Sequence, residues 1–361
     1  MSKLEKQAVS EEQAVSIQQL AGECSQLQTA PNPHLTGDVS SRRIMGTVTL
    51  ALLPIGLLSG FWFGWRVYLL YILAVGTAQL SEIIWFKAQG KKLTFDLSAV
   101  VTGLLLAMNL PPSAPWYFPV IGAAFAIVVV KEFFGGIGYN FLNPALGGRA
   151  LLVGLFFEEM FRISWPNPPF NRISPEAVEQ ATIDATTHAT PLAAMKAGEL
   201  PTAETLLDML VGNTGGRIGE TSALLILLAA IFLIWQKIIR VHIPLIMVAV
   251  VAVGAWLFAE PGNLASWQTV VGHILGGGLL LGAVFMATDY SSSPSTTVGE
   301  CLYAAGIGLL VVILRFWGPT NEGVSYAILI MNCCVPLIDR LFRRRVLGEP
   351  GNSTLNIKLD R

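Results

Sequence analysis

The feature that most constrains this chain is a succession of long apolar runs separated by short polar intervals. A helix needs about 20 predominantly apolar residues to cross a bilayer, and shorter apolar helices occur in broken or re-entrant pairs. Ten runs meet one description or the other: 44–63, 67–86, 97–110, 116–130 and 143–157, then 222–239, 244–258, 270–286, 301–316 and 324–338. Charged residues make up 13% of the chain and hydrophobic ones 53%, whereas a soluble domain carries about 25% charged residues. The expected fold class is therefore an all-α polytopic membrane protein. A net charge of −1 leaves no basic surplus for nucleic acid.

Charge bias orients the runs. Arg42-Arg43, the lysines between 87 and 92, Lys131, Lys237 with Arg240, and the cluster Arg340, Arg343, Arg344 and Arg345 all share one face if there are ten spans. The opposite short loops, 111–115 and 260–267, contain no Lys or Arg. The positive-inside rule then puts both termini in the cytoplasm, and five spans carry the polar interval that follows to the outer side. The expected organisation is a cytoplasmic polar segment, 1–40, a first five-helix repeat, 41–157, an outer loop, 158–221, a second five-helix repeat, 222–340, and a basic cytoplasmic tail, 341–361. Residues 1–33 are rich in Gln, Glu and Ser and lack the apolar core of a signal peptide.

The two halves echo each other. Thr102-Gly103-Leu104-Leu105-Leu106-Ala107-Met108-Asn109 is matched by Gly277-Gly278-Leu279-Leu280-Leu281-Gly282-Ala283-Val284, and each precedes a Pro/Ser-rich break. Five spans per repeat give the halves opposite orientation, the plan of two inverted repeats with short broken helices meeting near the midplane.

Ionisable residues at membrane depth are costly and attract functional hypotheses. Asp96 opens the short third span and Asp289 closes the eighth. Such a pair could hold a cation or a polar cofactor ring, or each could be an interfacial cap. Asn143 and Asn332, in the fifth and tenth spans, suit the freed backbone groups of broken helices better than direct ion contact. His273 reads as a hydrogen-bonded structural histidine. Cys24, Cys301, Cys333 and Cys334 have no metal spacing, so no metal site is expected. The adjacent pair Cys333-Cys334 reads as small apolar packing residues.

Several ordered blocks resemble one family. They are Asn140-Phe141-Leu142-Asn143-Pro144-Ala145-Leu146-Gly147-Gly148-Arg149-Ala150, Gly219-Glu220-Thr221-Ser222-Ala223-Leu224 and Phe285-Met286-Ala287-Thr288-Asp289. Together they resemble the NqrB/RnfD family, membrane subunits of sodium-pumping NADH:quinone oxidoreductases and of Rnf ferredoxin:NAD⁺ complexes. Gly323-Val324-Ser325-Tyr326-Ala327-Ile328-Leu329 and Pro336-Leu337-Ile338-Asp339-Arg340 favour the RnfD branch.

The resemblance gives meaning to the stretch 182–192, which read alone is a Thr-rich loop. In the family, FMN is joined through its phosphate to a threonine in a Ser-Gly-Ala-Thr-like motif. The matching residues are Thr187-His188-Ala189-Thr190, followed by Pro191-Leu192. The implied acceptor is Thr190, with His188 in place of the usual glycine and Thr186 and Thr187 as fallbacks. Arg149, Glu220, Thr221 and Ser222 are candidates for lining the flavin site. A non-covalent riboflavin near the membrane is a further cofactor that the resemblance leaves open.

The implied function is electron transfer between ferredoxin and NAD⁺ coupled to Na⁺ or H⁺ movement across a bacterial or archaeal cytoplasmic (inner) membrane. The implied partners are the other Rnf subunits, a flavin transferase and membrane lipid. The chain has no nicotinamide fingerprint and no cluster cysteines, so it is not catalytically complete alone. Competing readings are an NqrB-like subunit with quinone as acceptor and a stand-alone inverted-repeat channel or transporter.

Overall fold

Every one of the ten apolar runs contains a helix, because in a bilayer only internally hydrogen-bonded backbone is tolerated. The computed structural model describes residues 40–91, 95–162, 190–220, 222–258, 267–318 and 323–342. The first half contains α1 (Ser41–Phe63), α2 (Trp65–Ala88), α3 (Ser98–Met108), α4 (Tyr117–Phe125) and α5 (Pro144–Leu155), with a one-turn α6 (Phe157–Met160) after it. Helix α4 continues as a π-helix, Ala126–Glu132. Two small helices, α7 (Pro191–Lys196) and α8 (Ala203–Val211), then lead into the second half. That half contains α9 (Ala223–Trp235), α10 (His242–Phe258), α11 (Trp267–Leu275), α12 (Leu279–Leu281), α13 (Thr297–Phe316) and α14 (Val324–Leu341), with α12 running on as a π-helix, Gly282–Met286. No sheet forms among the described residues; Gly216 makes one isolated bridge.

The chain is thus an all-α polytopic membrane protein. Helices α1, α2, α13 and α14 are long and apolar enough to cross a membrane, and α11 with the stretch Leu279–Met286, bent by 57° at the break, has the length and composition of a broken span or a re-entrant loop. The rest are shorter: α3 has 11 residues and α5 has 12, a rise of about 16–18 Å against a hydrocarbon core of about 30 Å. Large apolar side chains such as Leu50, Leu57, Ile72, Leu80 and Ile231 point outward. Lipid or neighbouring apolar protein has to cover a surface of that kind.

The same neighbours recur in each half. Helix α2 packs on α3 and α4, and α4 on α5; correspondingly α10 packs on α11 and α13, and α13 on α14. Across the halves, α1 meets α9 and α5 meets α14, each element touching its own counterpart. Elements beside a two-fold axis pair with their own counterparts in this way. Close packing uses small residues, as membrane interfaces do. A Cβ on Gly254 of α10 would collide with the side chain of Val312, and one on Gly308 of α13 would lie 2.7 Å from Val250.

Two expectations change here. Lys131, counted above among the flanking charges, is 2% exposed and lies inside the protein. It is held there by an ion pair with Glu82. Cys333 is exposed on α14, so it does not fill space within this chain.

Candidate functional site

Thr190 is the N-cap of α7: its Oγ1 accepts from Ala193 N at 3.2 Å, and Pro191 takes the first helical position. The helix rests on α11 at Gly272, where a Cβ would lie 2.6 Å from Met195 Sδ; beside it α8 packs at Gly276, just past α11, where a Cβ would lie 2.9 Å from Met209 Cε. The seat leaves Thr190 half-buried at a notch of about 30 Å³, lined also by Leu192, Glu220, Gly276 and Gly277.

Next to the notch lies a smaller space of about 10 Å³, half polar and half apolar, bordered by Glu220, Asn109, Arg149 and Ser325 together with Met108, Leu281, Met286 and Val324. Glu220 and Gly277 line both, so the space at Thr190 and the space at Arg149 adjoin. Arg149 is buried, donating to Asn109 Oδ1 at 3.0 Å and to Ser325 Oγ. Arg217 donates to the carbonyls of Asn109 and Met160, and its Nε is 4.0 Å from Glu220. Ser222 lines neither space; it caps α9 and donates to Leu210 O at 3.1 Å. Thr187, His188, Ala189 and Thr221 lie outside the described residues.

The remaining candidates occupy other places. Asn143 caps α5 by accepting from Ala145 N and Leu146 N, and it reaches across the halves to donate to Met286 O at 3.1 Å. Asn332 is fully buried. With its amide oriented to satisfy both atoms, it accepts from Asn143 N at 3.1 Å and donates to Ser292 O at 3.2 Å. Both asparagines therefore hold backbone at the junction of the repeats. Asp289 sits in the turn beyond the bent span, accepting from Ser292 Oγ at 3.0 Å and Asn140 Nδ2 at 3.4 Å. Burial pushes its carboxyl above the usual range, against the pull of those hydrogen bonds. It lines a cavity of about 90 Å³ shared with Lys131, Asn140 and Asn143.

Asp96 does not meet Asp289. Its Oδ1 accepts from Ser98 N and Ser98 Oγ at the start of α3, and it borders a separate cavity with Glu82, Lys131 and Glu132. There Lys131 Nζ lies 2.5 Å from Glu82, 2.6 Å from Ser98 Oγ and 3.5 Å from Glu132. This cluster escaped the sequence reading, although Glu82 is an ionisable residue inside an apolar run. His273 is buried beside the Phe316 ring, but its Nδ1 finds no hydrogen-bond partner among the described residues. It is a core histidine and not the fully hydrogen-bonded one expected. No group of three His, Cys, Asp or Glu able to hold a metal occurs among the described residues.

Comparison with known proteins decides the family. The model of the NQR2, RnfD, RnfE family matches residues 28–348. The chain belongs to this family. Among its members, the chain is 41% identical over 325 residues to the D subunit of the Na⁺-translocating ferredoxin:NAD⁺ oxidoreductase complex of Acetobacterium woodii, covering 89% of this chain and 95% of that one. It is 37% identical to the D subunit of the proton-translocating ferredoxin:NAD⁺ oxidoreductase complex of Clostridium ljungdahlii, covering 86% and 92%. The D subunit of the ion-translocating oxidoreductase complex of Halorhodospira halophila is 36% identical, with 88% and 94% covered.

Proposed function

We propose that this chain is the flavin-carrying membrane subunit of an Rnf-type complex that couples electron flow between ferredoxin and NAD⁺ to ion movement. The relatives named above support the complex and its reaction class. The observation that carries the flavin assignment is the setting of Thr190, a half-buried hydroxyl at the mouth of a notch walled by glycine backbone. The residues fit such a group: a Cβ on Gly277 would come within 2.8 Å of Leu192 and Arg315, so only glycine keeps that wall open. A notch of about 30 Å³ takes the attachment end of the cofactor and not its ring system.

In this reading Thr190 Oγ1 is the point of covalent attachment to FMN, and the α7 seat on α11 fixes its position. Bound flavin supplies the redox chemistry, while the chain supplies position and charge. Glu220 borders both spaces and Arg149 the smaller one. The positive-inside bias puts Thr190 on the outer side of a bacterial or archaeal cytoplasmic membrane with both termini inside. The bent span supports that separation. Its outer half carries α7, while beyond its other half Tyr290 Oη donates to Ile238 O, next to the basic loop of Lys237 and Arg240. Na⁺ and H⁺ both remain candidates as the ion, since the relatives at 41% and 37% identity are named for different ones. The other complex subunits and a flavin transferase complete the set of partners, and riboflavin remains a second candidate cofactor.

The test is expression of the chain with an active flavin transferase, followed by a denaturing gel read for flavin fluorescence. The wild-type band fluoresces and the Thr190→Ala band does not. Fluorescence that survives the substitution overturns the acceptor assignment. A dark wild-type band, with the transferase shown to be active, overturns the covalent-flavin reading.

A further inference from the structure

The cavity of about 90 Å³ beside Asp289 is bordered by a short connection at the end of the protein that carries the basic loops. Residues 236–241 join α9 to α10. Ile238 and Ile239 of that connection line the cavity together with Tyr290 and Ser291, which follow the bent span. Lys237, just before them, has φ 56. That is the left-handed conformation, which glycine takes freely and a residue with a Cβ adopts at a cost. The other described non-glycine residue with positive φ, Leu97, directly precedes Ser98, which lines the same cavity. Strain of this kind persists only where surrounding contacts hold it.

Two contacts hold the connection. Tyr290 Oη donates to Ile238 O, and Arg240 NH1 donates to Glu300 Oε1 at 2.5 Å, in the first turn of α13. The ion pair is lopsided: the Arg240 side chain is 54% exposed and that of Glu300 6%. Glu300 Oε2 is buried and finds no hydrogen-bond partner among the described residues. Besides the positive end of the α13 dipole, Arg240 is therefore what offsets a carboxylate that the fold keeps from water. A half-exposed ion pair is weakened by salt, and Tyr290 is itself largely exposed. Both fastenings can let go without disturbing a helix.

We propose that residues 236–241 form a hinged cover over this cavity, latched by Arg240 on Glu300 and by Tyr290 on Ile238 O, and that releasing the latch admits small molecules from the face bearing the basic loops. Swinging the connection outward frees Lys237 from its positive φ and withdraws Ile238 and Ile239 from the wall. Closing it returns the counter-charge to Glu300. The two positions thus set backbone strain against an ion pair. The proposal stands apart from Thr190 and from any flavin.

The experiment uses the full-length chain in detergent, with Cys24, Cys301, Cys333 and Cys334 changed to alanine and T102C added as the reporter. Thr102 is buried and lines the cavity. Reaction of the new thiol with methyl methanethiosulfonate is followed by intact mass. R240Q and Y290F each react several-fold faster than the parent, and R240K, which keeps the charge, stays near it. Raising the salt from about 0.01 M to about 1 M shortens the screening length from about 30 Å to about 3 Å; it speeds the parent and leaves R240Q unchanged. A parent-like rate in R240Q or in Y290F overturns the proposal, as does a parent rate that salt does not move. V311C, fully buried in α13 and not lining the cavity, replaces T102C as the control. It stays slow in every background; if R240Q speeds it too, the effect is general loosening of the fold and the proposal falls.

Discussion

Replacing Lys131 with methionine strands two buried carboxylates. Nζ lies 2.5 Å from Glu82 and 3.5 Å from Glu132, with the side chains of each pair 3% and 5% exposed. At an effective dielectric of about 20, the gross attraction to Glu82 is about 7 kcal/mol and to Glu132 about 5 kcal/mol. Desolvation of several kcal/mol per ion consumes most of this, so the net value of the intact cluster is small. Breaking it is another matter, because the carboxylates stay buried without a counter-charge; K131M is expected to cost about 3–5 kcal/mol. E82Q is expected to cost less, since Lys131 keeps Glu132 and Ser98. The double variant K131M/E82Q should be more stable than the sum of the single losses predicts, by at least about 1 kcal/mol. Equilibrium unfolding of the purified protein in detergent measures all three. Additive losses within about 0.5 kcal/mol would refute the coupling, as would an E82Q loss larger than that of K131M.

Two further substitutions probe the seat and the junction. G272L places a side chain where Met195 Sδ lies 2.6 Å from the ideal Cβ; α7 is displaced and the covalent flavin per chain falls several-fold, read as in-gel fluorescence against total protein. N143A removes the cap of α5 and the bond to Met286 O. It should lower stability by about 2 kcal/mol, one for each function, seen as a lower unfolding midpoint in detergent.

Much of the fold was legible because membrane helices announce themselves by hydropathy. The runs 44–63 and 301–316 became α1 and α13 with small changes at their ends. The break of the eighth run was legible in kind but not in place: Gly277-Gly278, matched by sequence to helical Thr102-Gly103, forms the bend itself. Asn143 was readable as a partner for freed backbone groups, and the structure makes it the cap of α5, ahead of Pro144. The Glu82–Lys131 pair was not, since its members are 49 positions apart and Lys131 resembled a flanking charge. Arg315 was hidden for the same reason: a lone arginine near the end of an apolar run looks like an interfacial anchor until its bonds to the carbonyls of His273 and Gly276 are seen. Thr190 came from family resemblance; no local pattern separates it from Thr186 or Thr187. The structure adds its surroundings, above all Gly272 of α11 and Gly276-Gly277 at the break that follows it.

Those glycines have a mechanical meaning. Leu192, Met195 and Met209 bear on Gly272, Gly276 and Gly277, and methionine, unbranched with three rotatable bonds, refits easily to a shifting surface. Under the attachment proposed above, a group at Thr190 would therefore follow the α11 half of the bent span. Its separation from redox partners elsewhere in an assembly would be governed by the attitude of one helix, and a rocking motion of a few ångströms there would act on electron transfer as a distance control.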